Sequence, residues 1–181
     1  SKLPLSLEKA IRNFILVISI RILRGDVTEH NSMLVNVSRF TGIQSEVRYL
    51  IHRYLTTLQD AIKGHYALHT SDALKNNHLE LLHSLFLEEY TDIEYDWSDV
   101  QSVLNKAASK IETIEVNGSK QAEKIIDYTK RSYPNGRSLI AIGGFSLSRG
   151  ITIESLSLTY FLRNSFAYDT LMQMGRWFGY R

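Results

Sequence analysis

Leu139-Ile140-Ala141-Ile142-Gly143-Gly144-Phe145-Ser146-Leu147-Ser148-Arg149-Gly150-Ile151-Thr152 is the stretch on which the fold turns. Its apolar run, Leu139 to Ile142, is too short for a helix and shows no polar alternation. Such a run predicts a strand buried on both faces, as parallel sheets require. The loop from Gly143 to Gly150 then leads to a further strand, Leu156 to Leu162, and a helix from about Ala167.

Upstream the pattern alternates in the same way. Pro4 and Ser6 open a helical stretch in which Leu7, Ala10, Ile11, Phe14, Ile15 and Ile18 recur at helical spacing, and Gly25 is placed to stop it. Met33 to Val37 is a short strand-forming run that ends in Ser38, Arg39, Phe40, Thr41 and Gly42. From Gln44 to about Ile111 the signal is helical: Val47, Leu50, Ile51, Tyr54, Leu55, Leu58 and Ile62 share one face, and Leu79, Leu82, Leu85, Phe86 and Tyr90 share another. Ser98 and Asp99 give a third helix a polar start. Ile111 to Val116 alternates as a strand, Lys120 to Lys130 has the pattern of a helix, and Pro134-Asn135-Gly136 marks a turn. The order predicts an α/β fold, a three-layer αβα sandwich around a mostly parallel sheet, with an α-helical insertion at 43–110 in a single domain spanning 1–181.

Composition narrows the chemistry. The 181 residues contain no cysteine, which excludes disulfides, thiolate metal sites and a cysteine nucleophile and suits a cytoplasmic setting. Lys plus Arg number 21 against 19 Asp plus Glu, so total charge says little, but its distribution is uneven. Residues 78–99 hold Glu80, Glu88, Glu89, Asp92, Glu94, Asp96 and Asp99 with no Lys or Arg. That segment is either a solvated helix edge or a surface that repels nucleic acid or docks a basic partner. From Ser132 onward stand Arg137, Arg149, Arg163, Arg176 and Arg181 without a lysine. Arginine is the choice where a planar fork meets phosphate or carboxylate. The apolar run Phe14 to Ile18 is far short of the roughly 20 residues of a membrane span, so no membrane is expected as a partner.

Two segments carry chemistry, and both follow strands, where open α/β sheets place their ligands. In the first, Gly143 and Gly144 let a backbone approach a phosphate closely, and Ser146, Ser148 and Thr152 add uncharged hydroxyls. The second is Gln173-Met174-Gly175-Arg176-Trp177-Phe178-Gly179-Tyr180-Arg181, a helix start with an arginine directly after a glycine among aromatics. His65 and His69 stand four apart and could share a helix face, but no glutamate separates them as a zinc-protease helix requires, so no metal site is expected.

A Gly-rich loop with Arg149-Gly150, a strand, and then Gln173-x-Gly175-Arg176 is the order of the fifth and sixth motifs of superfamily-two helicases. The run from Ile140 to Arg181, supported by Ser32 to Thr41, resembles the Z-one domain, a family labelled as endonuclease and linked to helicases of bacterial restriction and phage defence. The resemblance implies a second, C-terminal RecA-like helicase lobe of a longer protein. It implies ATP and magnesium bound mainly by an absent N-terminal RecA-like lobe, with nucleic acid, DNA in preference to RNA, and restriction or defence subunits as partners. Arg176 matches the first arginine finger, and Arg181 stands nearest the place of a second. Arg149, Gly150, Thr152, Gln173 and Gly175 match positions around the nucleotide. Ser38 and Arg39 fall in the fourth-motif region, and with Gly143, Gly144, Ser146 and Ser148 they match positions along the nucleic-acid backbone.

The departures favour an alternative, a non-catalytic RecA-like module that binds protein or nucleic acid. Thr152 replaces a common aspartate, Met172 the usual Gln or His, and Gly179 the second finger. No phosphate loop of the Gly-x-x-x-x-Gly-Lys-Ser/Thr type and no Asp-Glu-x-x box is present, so the chain alone is expected not to hydrolyse ATP. No lysine has Asp or Glu two places before it, so the carboxylate-x-Lys element of restriction-type nucleases is missing as well.

Overall fold

The structure, a computed structural model, describes residues 2–37, 41–116, 128, 129, 131–144, 153 and 155–162. Helix α1 (Leu5–Leu23) begins after Pro4, whose fixed φ suits a helix start, and ends before Gly25 at φ +96. Both faces of α1 are buried: Leu7, Ile11, Phe14, Ile15, Leu16, Ile18 and Ile20 have essentially no exposed surface. It is a core helix, which explains why its apolar residues exceed a single stripe.

Strand β1 (Asn31–Asn36) follows, and then the helices α2 (Thr41–His65), α3 (Thr70–Ala73), α4 (Asn77–Glu89) and α5 (Trp97–Ala108). Each shorter helix has a local start. His69 Nδ1 accepts from the Ser71 amide, Asn76 Oδ1 from the His78 amide at 2.9 Å, and Asp96 forms a reciprocal capping box with Asp99. α2 therefore ends at His65 while His69 caps α3, and the two histidines do not share a helix face. In the acidic segment Glu94 pairs with Arg24 at 2.7 Å and Glu88 with Lys9 at 3.2 Å, tying it to α1.

The strands β2 (Ile111–Val116), β3 (Ser138–Gly143) and β4 (Leu156–Phe161) complete a sheet of order β2-β3-β1-β4 in which every pairing is parallel. Asn31 pairs with Ser138, and Ile111 with the same Ser138. β3 is buried along its whole length, as an unbroken apolar strand between two neighbours must be.

Direction and handedness set the layers. The chain moves one way across the sheet from β1 to β2, and the other way from β2 to β3 and from β3 to β4. Right-handed crossovers then put the first connection on one face and the later two on the other. The packing agrees. Met33, Val35, Ile140, Ile142, Leu158 and Tyr160 join the core formed with α1, α2, α4 and α5, whereas Leu34, Val116, Leu139 and Ala141 form a second cluster against Tyr128 and Ile153. The fold is the α/β three-layer, RecA-like class that the sequence predicts. No helix among the described residues is long and apolar enough to cross a membrane. The helical patterns at Lys120 to Lys130, apart from Tyr128 and Thr129, and after Ala167 lie outside the described residues.

At the amino end of the sheet a polar network locks the central strands. The Arg137 amide donates to His30 Nδ1 at 3.0 Å, Arg21 donates to the Asn31 side chain at 2.7 Å, and the hydroxyls of Ser32 and Tyr128 meet at 2.6 Å. Gly136 makes the turn possible at φ +78, with backbone packed so closely that a Cβ would lie 2.4 Å from the Glu29 carbonyl oxygen.

Candidate functional site

α2, which follows β1, packs on one face of the sheet, and Ile153, which lies between β3 and β4, packs on the other, which makes the β1/β3 boundary the switch point of this sheet. Open α/β sheets hold their ligands in the crevice outside the carboxyl ends of strands at such a point. Here the Val37 amide donates to the Gly143 carbonyl at 2.8 Å, and the Leu162 amide donates to the Asn36 carbonyl at 2.8 Å. Three strand ends therefore finish level, and the segments that follow them start from one edge.

Gly143 and Gly144 occupy this edge and are buried. Gly143 closes β3 opposite Asn36 of β1, and also opposite Val116 of β2. The backbone at this point is hemmed in on two sides, and the glycines present it without side chains. α2 begins at the same edge, four residues after Val37, with no acid in its first turn. A 25-residue helix directs the positive end of its dipole and its unpaired N–H groups this way.

Of the residues singled out from the sequence, Gly143 and Gly144 are thus brought to the crevice. Ser38 and Arg39 follow Val37 directly, but they lie outside the described residues, as do Ser146, Ser148, Arg149, Gly150, Thr152, Gln173, Gly175, Arg176 and Arg181. Among the described residues no group of three or more His, Asp or Glu side chains gathers as a metal site.

The sequence reading passed over one residue beside this edge. Gln44, in the first turn of α2, is 3% exposed. Its signal was a polar residue in register with Val47, Ile51 and Leu55 on the apolar face of the helix.

The Z1 domain family model matches residues 6–181 of the chain. No curated protein and no solved structure matches it.

Proposed function

We propose that this chain, which belongs to the Z1 domain family, is the second motor lobe of an ATP-dependent DNA helicase or translocase of a restriction or phage-defence system. The observation that carries the reading is that the ends of β1 and β3 lie side by side at the carboxyl edge. The residues after β1, beginning with Ser38 and Arg39, and the Gly143–Gly150 segment after β3 start from strand ends joined by the Val37–Gly143 hydrogen bond. Backbone presented by the glycine pair at the carboxyl edge of a parallel sheet suits a phosphate backbone, and contacts of that kind carry little sequence preference.

In this reading ATP and its magnesium sit chiefly on the preceding lobe. Nucleotide binding closes the two lobes, Arg176 reaches the γ-phosphate, and the Gly143–Gly150 segment couples closure to movement along DNA. A finger of this type contributes about 10³ to 10⁵ in rate by stabilising charge on the transferring phosphoryl group. Arg181 is a second cation for the same charge, and Arg149, Gly150, Thr152, Gln173 and Gly175 line the nucleotide side.

The test is ATP turnover by the full-length protein with and without DNA. Arg176→Ala abolishes DNA-stimulated turnover while nucleotide-free DNA binding persists; turnover at the wild-type rate removes the finger, and with it the motor.

A further inference from the structure

The cations of the described residues fall into two groups. Lys9, Arg21, Arg24, Lys75 and Arg137 each stand within 4.0 Å of a carboxylate. The other eight, Lys2, Arg48 and Arg53 among them, form no such pair among the described residues. Two of these free cations, Lys2 and Arg53, line a groove of about 270 Å³ between the start of α1 and the middle of α2.

Polar groups of a consistent kind surround the groove. Tyr54 and Thr57 share its wall with Glu8, its one acid. Behind Tyr54, Arg12 donates to the phenol oxygen at 2.7 Å, which leaves the Tyr54 O–H free to donate in turn. Arg12 Nε is itself buried without a hydrogen-bond partner. Burial holds the Tyr54 pKa above its ordinary value, so the phenol stays a neutral donor. Among the residues that line the groove, the cations Lys2 and Arg53 outnumber the acid Glu8.

Tyr49 stands one turn before Arg53, with 57% of its surface exposed and the Arg53 guanidinium 5.8 Å from its ring centroid. An exposed aromatic ring interleaved with unpaired cations is the make-up of a surface for single-stranded nucleic acid. Its location adds to this. α2 starts at the carboxyl edge, and at 1.5 Å per residue Tyr49 and Arg53 lie about 12 and 18 Å along it from Thr41. α2 runs back along the sheet, with Ser45 at Glu115, His52 at Thr113 and Gln59 at Ile111, so a strand leaving the crevice over this side reaches Tyr49 and Arg53 within about two or three nucleotides.

We propose that the outer face of α2 is a second contact for single-stranded DNA, with Arg53 and Lys2 on the phosphates and Tyr49 stacked under a base. This rests on the reading that DNA crosses the carboxyl edge of the sheet.

The experiment measures binding of the full-length protein to fluorescent oligothymidylate by anisotropy over a series of salt concentrations. Tyr49→Ala weakens binding about five- to tenfold and Tyr49→Phe restores it, because stacking needs the ring and not the hydroxyl. Arg53→Ala reduces the slope of log affinity against log salt by about 0.7, one single-strand phosphate contact. Affinity and slope unchanged in Tyr49→Ala and Arg53→Ala overturn the proposal, as does loss of Tyr49→Phe rescue or an equal loss on an acidic peptide probe. Weakened oligothymidylate binding together with undiminished turnover in Arg176→Ala would leave this surface standing while the motor falls. Absence of oligothymidylate binding by the wild type removes both.

Discussion

The amide of Val37 donates to the carbonyl of Gly143 across 2.8 Å, the last rung between β1 and β3. It sets two strand ends side by side although α2, after β1, packs on one face of the sheet and Ile153, after β3, packs on the other. A ligand lying over the edge would meet residues from both segments at once.

Arg39, two residues past that rung, is therefore expected to act on DNA through phosphate alone. Arg39→Ala weakens binding about equally for unrelated sequences and lowers the salt slope by about 0.7 on single strands. Anisotropy with oligonucleotides of different sequence checks this, and selective loss for one sequence would contradict it.

Gly136 and Gly25 both have positive φ, yet their alanine variants should differ. Nothing lies within 4 Å of a Cβ on Gly25, so Gly25→Ala costs about 1 kcal/mol from backbone strain alone. A Cβ on Gly136 would overlap the Glu29 and Thr28 carbonyl oxygens, so Gly136→Ala costs about 3 kcal/mol or more. Thermal melts of the two variants should separate clearly, with Gly136→Ala the lower.

Gln101 joins α5 to the chain leaving α2. Its Nε2 donates to the carbonyls of Tyr66 at 3.0 Å and Leu68 at 2.8 Å, while its Oε1 accepts from Trp97 Nε1 at 3.1 Å. Gln101 is buried, and Gln101→Leu strips partners from all three groups at the cost of about 2 kcal/mol. Chemical denaturation followed by circular dichroism measures the loss.

Tyr90, the C-cap of α4, donates its hydroxyl to the buried Asn13 side chain of α1. Burial is the main cause that raises its pKa above the ordinary 10.0. The phenolate is thus costlier in the fold than in the unfolded chain. Stability is full below about pH 10 and falls as pH rises beyond it. Tyr90→Phe loses about 1 kcal/mol at neutral pH but has a shallower alkaline decline, the remainder coming from groups such as Tyr54. Melting temperatures from pH 8 to 11 for both proteins test the sign.

Much of this architecture was legible from local pattern because local pattern causes it. Pro4 and Gly25 bound α1, and Ile111 to Val116 is rich in strand formers. The run Leu139 to Ile142 is apolar throughout because both faces of β3 are covered. What escaped depends on distant partners. β1 begins at Asn31, ahead of the expected Met33, because Asn31 and Ser32 bury polar side chains against Arg21, Ser138 and Tyr128. α5 begins at Trp97, one place earlier than its polar residues implied, because Asp96 is the cap. The place of the glycine pair at a strand end could be read from the sequence, but its neighbour at Val37 could not, since nothing local announces a pairing of β1 with β3 across the 107-residue separation of Asn31 and Ser138. Tyr49 and Arg53 attracted no notice because an aromatic and a cation on the polar side of a helix are commonplace.

The separation of 107 residues between Asn31 and Ser138 also governs how the chain comes into being. β1 emerges ahead of β3 and cannot pair until β3 follows, about 5–20 seconds later at ordinary rates of translation. Both of its edges stay unsatisfied for that interval, while the intervening helices need no such wait. The sheet is therefore completed only when β3 inserts between β1 and β2 and β4 covers the other edge of β1, late pairings of high contact order that leave the nascent molecule open to aggregation until they form.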